Sequence, residues 1–376
     1  SAASDVYKRQ IICILCITVA LFTLVKYDIS SIAYFNPTEK SATARIPDFY
    51  QMVANKRDIA KLDSTIVIVN IDNCNRDEIA ETIELLGLCE TKAIGVDIFF
   101  DSPTSNDQNL IQAIESCENI VLPVYMCYDT EQDIFTTGNG SFFYKNFSEN
   151  KYYGAINLVG DNMHSIIREF RREFPCINDT IPNFVARLTE LSSSISYKRL
   201  NARNNKYETI WFPSKEFSII RPIDILEKCN YLQGKIVLLG TVSDYSDFHI
   251  TPIDYQMPGV ILHAYALSTI LNDEYVYQCS EFIVWIISIL LCAIIVVINI
   301  ILRQNNLGNL IVRILQMVIL YLIVLIGCNL FVYKHICIDF AKPLLLVGLG
   351  LVATDIWYGI TYLILRYKCT LNNKRK

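Results

Sequence analysis

The sequence predicts an α/β domain with a largely parallel sheet flanked by helices, plus α-helical transmembrane segments, one N-terminal and three C-terminal. Three observations predict it. Short β-branched runs alternate with amphipathic stretches at crossover spacing. Long uncharged runs crowd the last third of the chain, and positive charge flanks those runs while the intervening part is acidic.

The spans are read first. Residues 282–302 form an unbroken run without a charge, about 31 Å as a helix, enough to cross the hydrocarbon of a bilayer. Residues 314–333 form a second such run and 343–365 a third, with one acid, Asp355. Near the start, Ile11 to Val25 is a shorter apolar run behind Lys8 and Arg9. Its length suits a signal-peptide core as well as a span, and with no clear cleavage site after it we read a retained first transmembrane helix or signal anchor. Residues 1–10, which lack an initial Met, read as foreign or truncated sequence.

Flanking charge sets the orientation. Lys8 and Arg9, Arg303 and Arg313, and Arg366, Lys368, Lys374, Arg375 and Lys376 all fall on one side. The opposite loop has only Lys334 and Lys342, against Asp339. The positive-inside rule then puts both termini and the short basic tail, 366–376, in the cytoplasm, and residues 26–281 outside it. That segment holds 22 Lys and Arg against 35 Asp and Glu. Its acidity argues against nucleic-acid binding, which needs a basic face, and solubility accounts for most of it. Of 13 cysteines, seven lie there at irregular spacing: Cys74, Cys89, Cys117, Cys127, Cys176, Cys229 and Cys279. An odd number without a framework names no disulfide pair, although an oxidising compartment allows one or two.

Within 26–281, Thr65–Asp72 suits a buried strand, and Arg76–Cys89 an amphipathic helix broken at Gly87. Ala93–Phe100, Asp107–Cys117 and Asn119–Tyr125 continue as strand, helix and strand. Further on, Tyr152–Leu158 and Ser165–Phe170 read as a strand pair around a turn at 160–162. Pro182–Leu191 reads as a helix, Thr209–Phe212 as a strand and Ile223–Cys229 as a short helix. Lys235–Gly240 is the clearest strand of the second half, and Gly259–Leu271 an amphipathic helix.

Four stretches carry a family resemblance: IVIVNID at 66–72, VDIFFDSPTSNDQNL at 96–110, GAINLVGDNMHSIIREF at 154–170 and GKIVLLGTVSDYSDFHITPIDYQMPGVILHAYAL at 234–267. In these the chain resembles the type-2 CHASE domain, a bacterial extracytoplasmic sensor module found with cyclases and histidine kinases. The resemblance implies one span before the sensor and three after it. Asn106 stands before Asp107 where paired acids are common, and Asn-Ile-Asp ends the first strand where Asp-Ile-Asp is common. The basic tail after the last span is too short for a kinase, cyclase or phosphatase.

Ligands of open parallel sheets bind at the carboxyl edge. The predicted strands deliver there Asp72; Asp97 and Asp101; Tyr125; and Thr241, Asp244 and Asp247, with His249 and Thr251 shortly after. These nine are the candidate ligand-binding residues, suited to a cationic or polyhydroxylated ligand or a divalent metal; the competing reading is that the acids cap helices and tie down loops. No catalytic residues and no metal ligands are assigned: no G-x-S-x-G elbow is present, and His249 with Asp244 and Asp247 has a spacing common by chance. His263 reads as a packed helix residue. Arg168, Arg171 and Arg172 form a small basic cluster that reads as solvated ion pairs or an anion site. In the spans, Asn299, Asn329 and Asp355 are candidates for transmembrane coupling, because polar groups in a bilayer normally face another helix.

The function expected is a multi-pass protein of the bacterial inner membrane, not an enzyme and without a cofactor. It would sense an unidentified extracytoplasmic small-molecule or peptide ligand and pass the signal to a separate membrane or cytoplasmic signalling protein. The alternative is a structural or assembly component of an envelope complex with no ligand.

Overall fold

The computed structural model describes residues 46–57, 59–100, 102–104, 107–129, 134–138, 152–159, 165–177, 179–302 and 308–373. The apolar run at 11–25, Asp101 and the turn at 160–162 lie outside them. The described residues form two compact units, one over Gln51–Val276, the other from Arg45–Tyr50 and from Tyr277 onward. Helix α1 (Ile46–Arg57) runs through the boundary.

The first unit is a doubly covered parallel sheet. In chain order it contains β1 (Lys61–Asn70), α2 (Arg76–Leu88), β2 (Ala93–Val96), α3 (Asp107–Ser116), β3 (Ile120–Val124) and β4 (Tyr152–Ala155). Then come α4 (Phe184–Ser192), α5 (Ser194–Asn201), β5 (Lys215–Ile220), β6 (Ile236–Gly240) and α6 (Gly259–Leu271). The sheet order is β5-β1-β6-β2-β3-β4, and every neighbouring pair is parallel.

Both faces of the sheet are buried, which is why its central strands read as unbroken apolar runs. Side chains alternate between the faces. Val67, Val69, Ile94, Val96, Leu122, Val237 and Leu239 pack with Ile79, Ile83 and Leu86 of α2 and Leu110 and Ile114 of α3. Ile66, Ile68, Ala93, Val121, Ile236 and Leu238 pack with Phe184 and Leu188 of α4 and Val260, Leu262 and Leu267 of α6. Each fully buried aliphatic side chain contributes about 1.5–3 kcal/mol. Helix α2 starts at a reciprocal capping box, in which Asn75 accepts from the Glu78 N–H and Glu78 accepts from the Asn75 N–H at 2.7 Å. Cys89, at its C-cap, is disulfide-bonded to Cys229, 140 residues later.

Some elements depart from expectation. Strand β2 stops at Val96 rather than Phe100, although the Asp97 N–H still bonds to Leu239 O of β6. The strand pair expected around 160–162 does not form. Tyr152–Ala155 joins the main sheet parallel to β3, and Glu169–Arg171 pairs antiparallel with Tyr207–Thr209. A Cβ on Gly154 would lie 2.5 Å from Cα of Phe184, so the bare backbone there lets α4 seat directly on β4. The helix expected at 182–191 begins at Phe184 instead, because Asn183 caps it by accepting from the Val185 N–H at 3.0 Å. The strand expected at Thr209–Phe212 is Tyr207–Thr209. In place of one helix at 223–229 there is a 3-10 turn at Pro222–Asp224 and a helical turn at Cys229–Leu232.

The second unit contains three long helices, α7 (Glu281–Leu302), α8 (Gly308–Lys334) and α9 (Ala341–Asn373). Each is long and apolar enough to cross a membrane, over Glu281–Ile301, Ile314–Lys334 and Pro343–Ile364. Cys292, Ile295 and Val296 of α7 pack against Leu346, Val347 and Leu351 of α9. A Cβ on Gly350 would meet Cys292 Sγ at 2.6 Å, so glycine sets how closely the two helices approach. Asn299 donates to Thr354 Oγ1 at 2.7 Å in this seam, beside Asp355 in sequence. Asn329 donates to Leu325 O, within its own helix, at 2.8 Å. Tyr50 of α1 packs on Phe331 of α8, ring centroids 5.6 Å apart.

Candidate functional site at the carboxyl edge of the sheet

Strands β1, β6 and β2 lie side by side and end together, so the residues that follow them share one edge. Asp72 follows β1 and accepts four hydrogen bonds: from Asn70 Nδ2 at 2.8 Å, Ser243 Oγ at 2.6 Å, and the Val242 and Ser243 N–H groups at 3.3 and 3.4 Å. Partial burial pushes its pKa up, but these donors outweigh it and hold the carboxyl below its ordinary value. The side chain is thus a strut between β1 and the loop after β6. Asp244 caps the 3-10 turn Tyr245–Asp247 through the Ser246 N–H at 2.9 Å, and bonds from the Ser246 hydroxyl and N–H lower its pKa. Thr251 closes a tight turn with Asp254 by two 3.0 Å bonds. Asp107 opens α3, accepts from the Thr104 N–H at 2.7 Å and pairs with Arg76. Each of these side chains is bonded to its own loop or to a neighbouring one.

Asp97 is different. It leaves β2 with its side chain only 9% exposed, its own N–H still bonded to Leu239 O at 2.8 Å. Its carboxylate stands 3.9 Å from Nε2 of His263, a buried residue of α6. Burial first, and the charge of Asp247 second, push the Asp97 pKa up to about 8. Burial lowers His263 to about 4, against the pull of Asp247 and with a push from His249. Burial thus disfavours the charged form of both groups, which opposes an ion pair between them, close as they are. The His263 ring is held by Phe184, centroids 5.3 Å apart, nearly edge to face.

Asp247 and His249 supply the outer half of the cluster. His249 Nε2 lies 3.3 Å from Asp247 Oδ1, and His249 is fixed by a short antiparallel pairing of Phe248–His249 with Met257–Pro258. The Asp247 carboxylate occupies the space a Cβ on Gly259 would fill, 2.6 Å from that position, at the first turn of α6. Helix dipole and free N–H groups favour a carboxylate at such a terminus. Gly240, the last residue of β6, is equally bare: its Cβ would lie 2.8 Å from Val260 and 3.5 Å from Asp97.

Of the nine candidates, the structure therefore brings Asp97, Asp247 and His249 together and adds His263, a packed helix residue as expected, whose place beside Asp97 the sequence did not show. Asp72, Asp244 and Thr251 support the edge; Thr241 directly follows β6. Tyr125 lies after β3 against Phe99, ring centroids 6.2 Å apart. Among the described residues, no group of three or more His, Cys, Asp or Glu side chains is arranged to hold a metal ion.

The chain thus combines a parallel α/β domain, with an acid–imidazole cluster at the carboxyl edge of its sheet, and three helices apolar enough to cross a membrane. The model of the CHASE2 domain matches residues 22–301, and the chain belongs to that family of sensory extracellular domains. No curated protein and no solved structure matches the chain.

Proposed function

We propose that the protein is a sensor anchored in the bacterial inner membrane, with residues 26–281 outside the cytoplasm, both termini inside, and no catalytic activity of its own. The observation that carries this reading is the continuity of α6 with the apolar helices. His263 and Gly259, against which the Asp247 carboxylate lies, belong to α6, and only residues 272–280 separate its end from α7. A ligand that binds better to one position of α6 than another thereby biases α7; equal affinity for both positions would transmit nothing. The recipient is a separate output protein.

The ligand we propose is cationic or polyhydroxylated, with a donor to place against Asp247. His263 is 3% exposed, and so is a poor base for chemistry on a substrate, which favours binding over turnover. The Cys89–Cys229 bond fits an oxidising compartment.

Cys127 is an exposed free cysteine of the α/β domain, which gives the test. In intact spheroplasts, a membrane-impermeant maleimide should label the wild type and label Cys127→Ser less. Labelling of Cys127 only after lysis would overturn the orientation, and the sensor reading with it.

A further inference from the structure

We infer that the α/β domain carries a second ligand site, unrelated to the carboxyl edge: a cleft for a small oxyanion, bearing carboxylate or phosphate groups, between the C-terminal end of α5 and the ribbon formed by Glu169–Arg171 and Tyr207–Thr209. The cleft has a volume of about 460 Å3 and is lined by four cations, Arg171, Arg172, Arg203 and Lys206, and one acid, Glu173. Three asparagines, Asn201, Asn204 and Asn205, add neutral donors. Such a lining stands out in a domain whose overall charge is strongly negative.

The pairing of these cations points to an anion. Arg203 is committed: its Nε donates to the buried Glu208 carboxylate at 2.6 Å. Arg172 is held by neutral oxygens, the Leu200 carbonyl at 3.2 Å and the Arg203 carbonyl, and its N–H bonds to Lys206 O at 3.2 Å. Arg171 is only 8% exposed, donates from Nε to Glu173 O at 2.7 Å, and stacks over Phe135 at 4.3 Å and Phe174 at 5.3 Å. Among the described residues, neither Arg171 nor Arg172 reaches a carboxylate. A guanidinium has five N–H donors in a planar fork, and a cation taken out of water without a counter-charge is costly. Carbonyl oxygens fix the two guanidiniums in place, and the charge is left for an incoming oxyanion to neutralise in fork geometry. Lys206, exposed at the rim 5.6 Å from the Tyr207 ring, adds a mobile third charge.

The test uses the full chain in detergent, titrated with inorganic phosphate and, separately, with citrate. Ionic strength is held constant with chloride, and the thermal midpoint is followed. The expected result is a saturable rise with an oxyanion that chloride does not reproduce. Lys206→Gln should weaken the apparent affinity about fivefold, and Arg172→Gln more, as loss of a charge-assisted bond requires. A stronger response to citrate assigns a polycarboxylate and a stronger response to phosphate a phosphate; either upholds the cleft. Because Arg172 also closes the end of α5, the exposed Lys206→Gln decides the matter should Arg172→Gln not fold. Identical titrations of wild type and Lys206→Gln, or equal effects of phosphate and chloride, would overturn the proposal. Asp247→Asn should leave the phosphate and citrate titrations unchanged, and a changed titration would move the anion to the carboxyl edge and sink this assignment alone.

Discussion

The Cys89–Cys229 bond ties the end of α2 to the helical turn before β6 and encloses β2, β3, β4 and β5 in one loop. Replacing both residues, as Cys89→Ala/Cys229→Ala, releases 140 residues of the unfolded chain from that constraint. The chain-entropy relation assigns such a loop about 5 kcal/mol at 25 °C, and bonds of this kind typically deliver about 2–4 kcal/mol. Both sulfurs also belong to the core beneath α2, with Cys89 buried, so the loss of packing adds to the entropic cost. At a urea slope of ~2–3 kcal/mol per molar, a loss of ~4 kcal/mol lowers the midpoint by ~1.3–2 M. The assay is urea unfolding of the full chain in detergent, followed by tyrosine and tryptophan fluorescence, with and without a thiol reductant. Reductant should lower the wild-type midpoint towards that of the double variant and leave the double variant unmoved. Mass spectrometry after alkylation in denaturant should find two fewer labelled cysteines before reduction than after it. Equal midpoints for wild type and double variant, or full labelling without reductant, would refute the reasoning.

Three further outcomes are expected. With Asp97 raised to about 8 and His263 lowered to about 4, the acid's contribution to stability falls as pH rises from about 4 to about 8, while the imidazole's falls as pH drops from about 6.5 to about 4. The two nearly cancel below pH 6.5, leaving a decline between pH 6.5 and 8 that Asp97→Asn should remove; a decline unchanged in that variant, by urea unfolding across this range, would place it elsewhere. Gly154→Ala pushes a methyl group into the Phe184 backbone, and should cost about 1–3 kcal/mol or more in the same assay; a neutral result would mean that β4 and α4 are not so closely seated. Asn299→Leu removes the bond to Thr354 in the α7–α9 seam and should cost about 0.6–2 kcal/mol, read as faster loss of α-helical signal under denaturing detergent; Thr354→Val added to it should cost little more.

The sheet is legible in the sequence wherever both faces are buried, because such strands are continuous apolar runs: TIVIVN, AIGV, NIVLPV and KIVLLG all lie in it. Strand β5 is not legible, because KEFSII at the sheet's edge mixes charged and apolar residues with no clean period. Tyr152–Ala155 pairs in sequence reasoning with its near neighbour, since a nearby turn signal outweighs a parallel partner far back in the chain that only the fold supplies. At the site, Asp97 can be found as the acid that ends a strand. His263 cannot, because an imidazole on an apolar helix reads as core, and only the packing of α6 against β6 and β1 brings it to the acid that follows β2. The basic cleft is half visible. Arg171 and Arg172 announce themselves together, but Arg203 and Lys206 come from a separate loop beyond α5. The second unit is the easiest, since length and hydropathy alone identify its helices.

The position of β6 bears on how the domain is made. It lies between β1 and β2, yet it is the last sheet strand to be synthesised, after β3, β4 and β5 have all left the ribosome. Until it emerges, the two strands that will flank it have no common partner, and the nascent domain is an open half-sheet exposing the apolar faces of both. Assembly therefore waits for nearly the whole domain, and the closing strand arrives shortly before the first long apolar helix. Pairing over such sequence distances is slow, so a chaperone or an early membrane anchor has a long interval in which to act. Any truncation before Gly240 should yield an aggregating fragment rather than a smaller domain.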